Sequence, residues 1–479
     1  MRNQILFSVN GHEHRIGGAE AFVTLANWLR YGEGATGTKT VCEEGDCGAC
    51  TVLLRRSANE DFVPVNACIL SLTQLDGASI VTVEGLKSGG ELTAVQQSMV
   101  ACHGAQCGYC TPGFIVAMSA MFETCDRVDE QQVRDGLTGN LCRCTGYEPI
   151  IKAALAVDVA GVPRLRERYP DVPSQSEGVR IEIAGRIFFA PITLADAIAF
   201  KRDHEPCTIV QGGTDVGVWI NKRAFAPPTM LFLGKIEGLS ELRDARDGIV
   251  VGANVSLARF EVFIRERIPE LAKILALFGS PQIKWAGTLA GNIANGSPIA
   301  DTLPYLYAAG AELELTGSNG ARVVPINRFY LGYKQFDLQP DEIITRIRIP
   351  IVHDLVKLYK VSRRKDLDIS AFTAAIRMRF ENGVIAEPRI IYGGVGPTVL
   401  RLPKTEAFLT GKKPRLDIFE QAGAIARGEI RPISDVRGSA DYRLQLAENI
   451  LAKFWYETFG AAAEETRAGP GALIRAATV

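Results

Sequence analysis

The sequence predicts a multidomain α+β chain, and three observations carry that prediction. Its 479 residues are too many for one ordinary core and call for several domains of typical size. Its 47% hydrophobic and 22% charged residues are globular values, which leaves out disordered and fibrous chains. The hydrophobic pattern also changes along the chain, from short strands to clustered helices and then to strands alternating with helices and Gly-rich turns.

Residues 4–9 (QILFSV) read as a strand before a turn at Gly11. Phe22, Leu25, Ala26 and Leu29 fall at helical spacing within residues 20–31. Segments 51–56, 62–65 and 79–83 read as further short strands, giving a small β-rich domain over 1–85. Segments 92–101, 112–123, 130–137 and 149–157 read as helices of a second domain, 86–158. The second of them has Thr111 as N-cap and Pro112 at the first helical position. Residues 159–178, with Pro163, Pro170 and Pro173, read as an exposed linker. Strands and helices alternate over 179–352. A separate α+β domain covers 353–462, with helices at 417–427 and 440–458, and 463–479 reads as a flexible tail.

The net charge of −1 gives no support to a nucleic-acid partner, which needs a basic patch or stripe. No apolar run reaches the roughly 18–20 residues that cross a bilayer, and the N-terminus is too polar for a secretory signal. The expected location is the cytoplasm, away from membranes.

Disulfides are rare in that compartment, yet there are eleven cysteines, ten of them before residue 145. Cys42, Cys47 and Cys50 have the spacing C-x₄-C-x₂-C, and Cys68 stands alone further on. This is the plant-type [2Fe–2S] pattern. Gly45 and Gly48 free such a loop to fold three sulfurs inward. Zinc is the alternative, but it usually takes two C-x₂₋₄-C pairs. A second set joins Cys107 and Cys110 (C-x₂-C) with Cys142 and Cys144 (C-x-C), each pair just before a predicted helix whose positive end suits an anionic core. C-x-C is an unusual spacing for zinc. Cys102, Cys125 and Cys207 are left over and read as small buried hydrophobes.

With both sets in place, QCGYCTPG…LCRCTGY resembles the helical [2Fe–2S] domain of the xanthine dehydrogenase and aldehyde oxidase family, which there follows a ferredoxin-like domain. The resemblance implies a β-grasp ferredoxin-like domain and a four-helix [2Fe–2S] domain. After them come a two-part, non-Rossmann FAD-binding domain of the PCMH/VAO type and an α+β C-terminal domain. It also implies that Gln106 and Cys144 lie nearest a molybdenum–pterin cofactor carried by another subunit.

No G-x-G-x-x-G follows a strand. Instead TIVQ (208–211) runs into Gly212, Gly213, Thr214 and Asp215, where backbone amides and the Thr214 hydroxyl can approach a pyrophosphate. Phe278 to Asp301, dense in small and hydrogen-bonding residues, looks like the FAD-binding stretch of the same family. Carried over position by position, the FAD contacts would be Ile209, Val210, Gln211, Gly212, Gly213, Thr214, Asp215 and Val216. Phe278, Thr288, Gly291, Asn292, Asp301, Ile344 and Lys360 complete the set. The family often has Asn where this chain has Gly213. SRRKDLDI (362–369) resembles the charged loop beside the flavin, and Tyr333 matches an aromatic near the nicotinamide. Tyr333 and Asp366 are therefore the NAD candidates, although Lys365 makes this loop less acidic than is usual.

The resemblance implies the small subunit of a bacterial two-subunit enzyme of this family, with two [2Fe–2S] clusters and FAD, and NAD as acceptor. A large molybdenum-cofactor subunit would hold the substrate in a heterotetramer of two of each chain, oxidising hypoxanthine and xanthine to urate. The alternatives are the equivalent part of a hydroxylase for aldehydes, carbon monoxide or N-heterocycles, and a stand-alone redox carrier or sensor.

Overall fold

The computed structural model describes residues 1–87, 89–160, 164–173 and 176–467. From residue 468 onward the expected tail lies outside them, and the backbone of the last helix, Ala440–Arg467, runs past the predicted end at 458.

The N-terminal strands form one five-stranded sheet in the order His12–Gly17, Gln4–Val9, Ser79–Val81, Thr51–Arg55, Val63–Asn66. Its middle pair, Gln4–Val9 and Ser79–Val81, is parallel. The hairpin of the first two strands turns on Asn10 and Gly11, both at positive φ. Asn-Gly suits a two-residue hairpin turn, a signal that the reading of a single strand passed over. The helix expected over 20–31 is two pieces, a 3₁₀ turn Gly18–Phe22 and an α-helix Leu25–Tyr31. Thr24 divides them, because its hydroxyl caps the second piece by accepting from the Asn27 amide at 3.3 Å.

The helical domain comprises Ala94–Ala101, Thr111–Met121, Glu130–Leu137 and Glu148–Leu155. The N-cap of the second is Cys110, with Thr111 already helical, so the expected Thr111 cap is corrected by one residue. In the described part of the 159–178 stretch, Arg166, Glu167, Pro170 and Asp171 are exposed as expected, but the stretch is anchored at Leu165 and Tyr169. Leu165 is buried in a short helix, Leu165–Arg168. The buried Arg55 guanidinium reaches across to the Tyr169 carbonyl at 2.9 Å, and Tyr169 donates to the Gly85 carbonyl. Cation-to-carbonyl bonds of this kind replace the solvation that a buried guanidinium gives up.

The next region holds two larger sheets and a small two-stranded one, Tyr330–Gly332 with Gln335–Phe336. One larger sheet orders Val179–Ile183, Arg186–Ala190, Thr229–Leu231 and Thr208–Ile209; the other orders Leu242–Ala245, Gly248–Gly252, Ile343–Pro350, Glu312–Gly317 and Gly320–Pro325. The C-terminal region is an antiparallel meander, Leu355–Val361, Phe372–Glu381, Val384–Gly393 and Leu400–Arg401. It is packed by the helices Leu416–Glu429 and Ala440–Arg467. The multidomain α+β class is the one observed.

The cores do not stop where the sequence pattern changes. Phe7, Leu29 and Ile80 of the first domain share one apolar cluster with Ile181, Phe188 and Phe232 of the third region. Leu53 and Phe62 of the first domain share another with Phe114 and Met118. Apolar burial, the dominant favourable term in folding, thus holds the regions at fixed positions relative to one another.

Candidate functional site

Cys42, Cys47 and Cys50 lie in the loop between the helix Leu25–Tyr31 and the strand Thr51–Arg55, and Cys68 reaches them from just after the strand Val63–Asn66. Cys42 lies within hydrogen-bonding reach of both Cys47 and Cys68, and Cys68 within reach of Cys50. Cys50 and Cys68 are buried. The crowding shows in their acidities: hydrogen bonds from Cys47 and Cys68 drive the Cys42 thiol far down, and the same contacts drive those two partners up. Four thiolates this close repel one another, and a cationic core among them would remove that cost. Gly45 and Gly48 are both at positive φ, and a Cβ on Gly48 would lie 2.2 Å from the Gly139 carbonyl oxygen.

The second set assembles from two segments. The Cys144 and Cys107 sulfurs are 3.6 Å apart, and Cys110 and Cys142 form the other contact. The Cys110 thiol is pushed up to about 12, first by burial and then by Cys142. A disulfide would need about 2.05 Å. Two thiolates on one tetrahedral metal, with bonds of about 2.3 Å, stand roughly 3.8 Å apart. The thiols come in twos, one from each motif. This suits a binuclear core, which takes two ligands at each iron, better than one zinc.

Cys110 is the N-cap of Thr111–Met121, and the helix Glu148–Leu155 begins after Tyr147, one residue before its predicted start. Tyr147 adopts a left-handed conformation and its hydroxyl accepts from the Cys142 amide at 3.1 Å. Both cysteine pairs thus stand just before a helix, as expected, with the Tyr147 turn between the second pair and its helix. Gln106, Cys107 and Cys144 are exposed.

A cavity of about 540 Å³ lies in the third region and is lined from three domains, a size within the roughly 300–1,000 Å³ typical of cofactor sites. Its wall includes Ile209, Gln211, Gly212, Gly213, Thr214, Asp215, Val216, Phe278, Thr288, Gly291, Asn292, Asp301 and Ile344. Val210 is not in the wall; its side chain is buried in the core shared with the first sheet. Lys360 stands behind the wall and pairs with Asp301 at 2.7 Å, and it also donates to Ser370. Tyr333 (60% exposed) and Asp366 are not among the lining residues.

The wall is backbone-rich by construction. A Cβ on Gly212 would sit 2.1 Å from the Ala286 carbonyl oxygen, and Gly213 is at φ +71°. Only glycine allows that interlock at no steric cost. Thr288 caps the helix Leu289–Asn295 by accepting from the Gly291 amide, and Asn292 accepts from Thr302. Burial raises the Asp215 carboxyl above its usual range, while Asn295 donates to it at 2.9 Å. A wall of close backbone, hydroxyls and amides around an apolar interior fits a dinucleotide such as FAD.

Sequence reasoning missed several wall residues. Gly45 and Asp46 come from the first cysteine loop and Arg437 from the C-terminal domain, while Leu367, Asp368 and Ile369 belong to the charged loop expected beside the flavin but were not singled out in it, and Ser370 follows it. Nothing local in the sequence marks Arg437, because its place depends on the buried Arg443 holding Asp435 and the Ala371 carbonyl. Asp46 was visible inside the cysteine motif, but its orientation was not.

Comparison with known proteins fits this geometry. Residues 82–155 match the model of a [2Fe-2S] binding domain. Residues 180–352 match the FAD binding domain in molybdopterin dehydrogenase, and 357–458 match the CO dehydrogenase flavoprotein C-terminal domain. The chain carries the iron–sulfur and flavin region of a molybdenum hydroxylase. The xanthine dehydrogenase of Drosophila pseudoobscura pseudoobscura is 30% identical over 94% of this chain and 39% of its own length. Human aldehyde oxidase is 27% identical over 95% and 39%. The chain thus spans about two-fifths of these relatives. Carbon monoxide dehydrogenase from Hydrogenophaga pseudoflava superposes with a TM-score of 0.53 at 28% identity, over 56% of this chain and 94% of that one. Quinoline 2-oxidoreductase from Pseudomonas putida 86 gives 0.53 at 26% identity, over 57% and 96%. Among the described residues no helix of this molybdenum hydroxylase region is long and apolar enough to cross a membrane.

Proposed function

We propose that this chain is the electron-transfer subunit of a xanthine dehydrogenase, placed between a molybdenum cofactor on a large partner subunit and NAD⁺. The reaction served would be oxidation of hypoxanthine and xanthine to urate, in a cytoplasmic heterotetramer of two of each chain. The observation that carries this reading is spatial order. The exposed Cys107/Cys144 pair stands at one end, the segment beside Cys142 is hydrogen-bonded to the loop of Cys47, and that loop supplies Gly45 and Asp46 to the cavity wall.

When bound, two [2Fe–2S] clusters would pass single electrons and FAD would collect two for hydride transfer. Cys42, Cys47, Cys50 and Cys68 would hold one cluster, and Cys107, Cys110, Cys142 and Cys144 the other. Gly212 and Gly213 would admit the pyrophosphate, and Asp301, fixed by Lys360 and Ser370, would orient the flavin. Phe278 and Ile344 would exclude water. Gln106 and Cys144 would face the partner's pterin. Tyr333 and Asp366 remain the proposed nicotinamide contacts. They lie outside the wall of the cavity, where a second nucleotide would approach from solvent.

The 30% identity to a xanthine dehydrogenase supports this substrate. The likeness to carbon monoxide dehydrogenase and quinoline 2-oxidoreductase favours a second reading, the same role for another molybdenum hydroxylase. The deciding experiment purifies the native holoenzyme, identifies the copurifying large chain, and assays it with xanthine, aldehydes, carbon monoxide and quinoline. Xanthine-dependent NADH formation supports the first reading, and turnover of another substrate alone selects the second. A chain that purifies alone and free of molybdenum leaves only the redox carrier.

A further inference from the structure

Gln282 is fully buried in the helix Pro281–Ala286 of the flavin region, yet it is not among the residues lining the flavin cavity. Its Nε2 donates to Asn140 Oδ1 at 2.8 Å and to Thr51 Oγ1 at 3.2 Å. Asn140 Nδ2 donates in turn to the Gly48 carbonyl at 3.0 Å. The N–H of that same peptide, carried by Ala49, hydrogen-bonds the Cys47 sulfur. Three domains thus contribute to one chain of bonds that ends on a cysteine of the first set.

The direction of this chain is fixed. A carbonyl oxygen only accepts, so Asn140 must offer its NH₂ to Gly48 and turn its own oxygen to Gln282. Gln282 must then present its NH₂. Each amide that accepts at oxygen becomes a better donor at nitrogen, so the three bonds reinforce one another toward the sulfur. Gln282 Oε1 is left without a hydrogen-bond partner, an unfavourable arrangement that an apolar residue would avoid. Donation to the cluster sulfurs favours the more negative, reduced form and moves its potential.

We propose that Gln282 is a positioning residue that raises the reduction potential of the centre held by Cys42, Cys47, Cys50 and Cys68, so that docking of the flavin domain tunes the centre beside the flavin. This rests on those four cysteines being cluster ligands. The test is an EPR-monitored redox titration of the holoenzyme with Gln282→Met, which keeps the volume and removes the donor. The equilibrium constant for reducing this cluster should fall about threefold to tenfold. At 59 mV per tenfold for one electron, that is about 30–60 mV. Flavin content and the potential of the other cluster should be unchanged. If Gln282→Met does not fold, Gln282→Ser, too short to reach Asn140 and too small to overpack, serves for the same titration. An unmoved potential, or both clusters moving together, overturns the proposal. Absence of any cluster signal from the unsubstituted protein overturns the cluster reading beneath it, which is a separable result.

Discussion

The backbone amide of Leu141 donates to the carbonyl oxygen of Cys47 at 3.0 Å. Leu141 precedes Cys142 of the second cysteine set, and Cys47 belongs to the first, so the two sets are one hydrogen bond apart. Tyr109, between Cys107 and Cys110, adds a second tie by donating to the Thr40 carbonyl at 3.2 Å. Two redox centres held this way would keep a fixed separation, which electron transfer between them requires.

Replacing Cys107 by Ser should remove one cluster and leave the other with FAD bound. Iron per chain should fall from about four to about two, as expected for two [2Fe–2S] centres. Full iron after this change, measured by metal analysis with EPR, would contradict the ligand assignment.

Gly212→Ala places a methyl group 2.1 Å from the Ala286 carbonyl oxygen. Backbone on both sides must shift, at a cost of about 1–3 kcal/mol. The flavin site should open, with FAD occupancy reduced severalfold in the purified protein. Retention of full absorbance near the flavin maximum would show that the interlock does not shape the site.

Lys360 and Asp301 are 2% and 4% exposed. Lys360→Met leaves Asp301 buried without its cation and should destabilise the protein by about 3–5 kcal/mol in urea unfolding. The double change Lys360→Met with Asp301→Leu should recover much of that loss, because no lone charge is left buried. Equal losses for the single and double variants would refute the account.

The Cys207 thiol is pushed up to about 11 by burial, from an ordinary 9.0. At pH 8 its thiolate fraction, and so its alkylation rate, should be about a hundredfold lower in the folded protein than in the unfolded chain. The linkage has a definite sign. A raised thiol pKa contributes stability below about pH 9, and it is lost as the pH climbs toward 11 because the unfolded chain ionises first. Cys207→Ala should flatten that decline in pH-dependent unfolding.

Much of this molecule is written in its local sequence. The spacings of Cys42, Cys47 and Cys50, and of Cys107 with Cys110, specify loops that must fold sulfurs inward, because only a few residues separate the ligands. The helices of the second domain are legible within a residue or two from their apolar spacing. Gly212 and Gly213 announce the close backbone turn that forms part of the cavity wall. Each of these signals lies within one short segment.

Long-range relationships were decided only when the chain folded. The pairing of Cys107 with Cys144 and of Cys110 with Cys142, the entry of Asp46 and Arg437 into the cavity wall, and the burial of Gln282 at a three-domain junction join residues tens to hundreds of positions apart. No periodicity or spacing encodes such contacts. They follow from shared apolar clusters, such as those that hold Phe7 with Phe188 and Leu53 with Phe114, whose burial sets how the domains face each other. The sequence determined which groups could bind iron and flavin, and the packing decided their order in space.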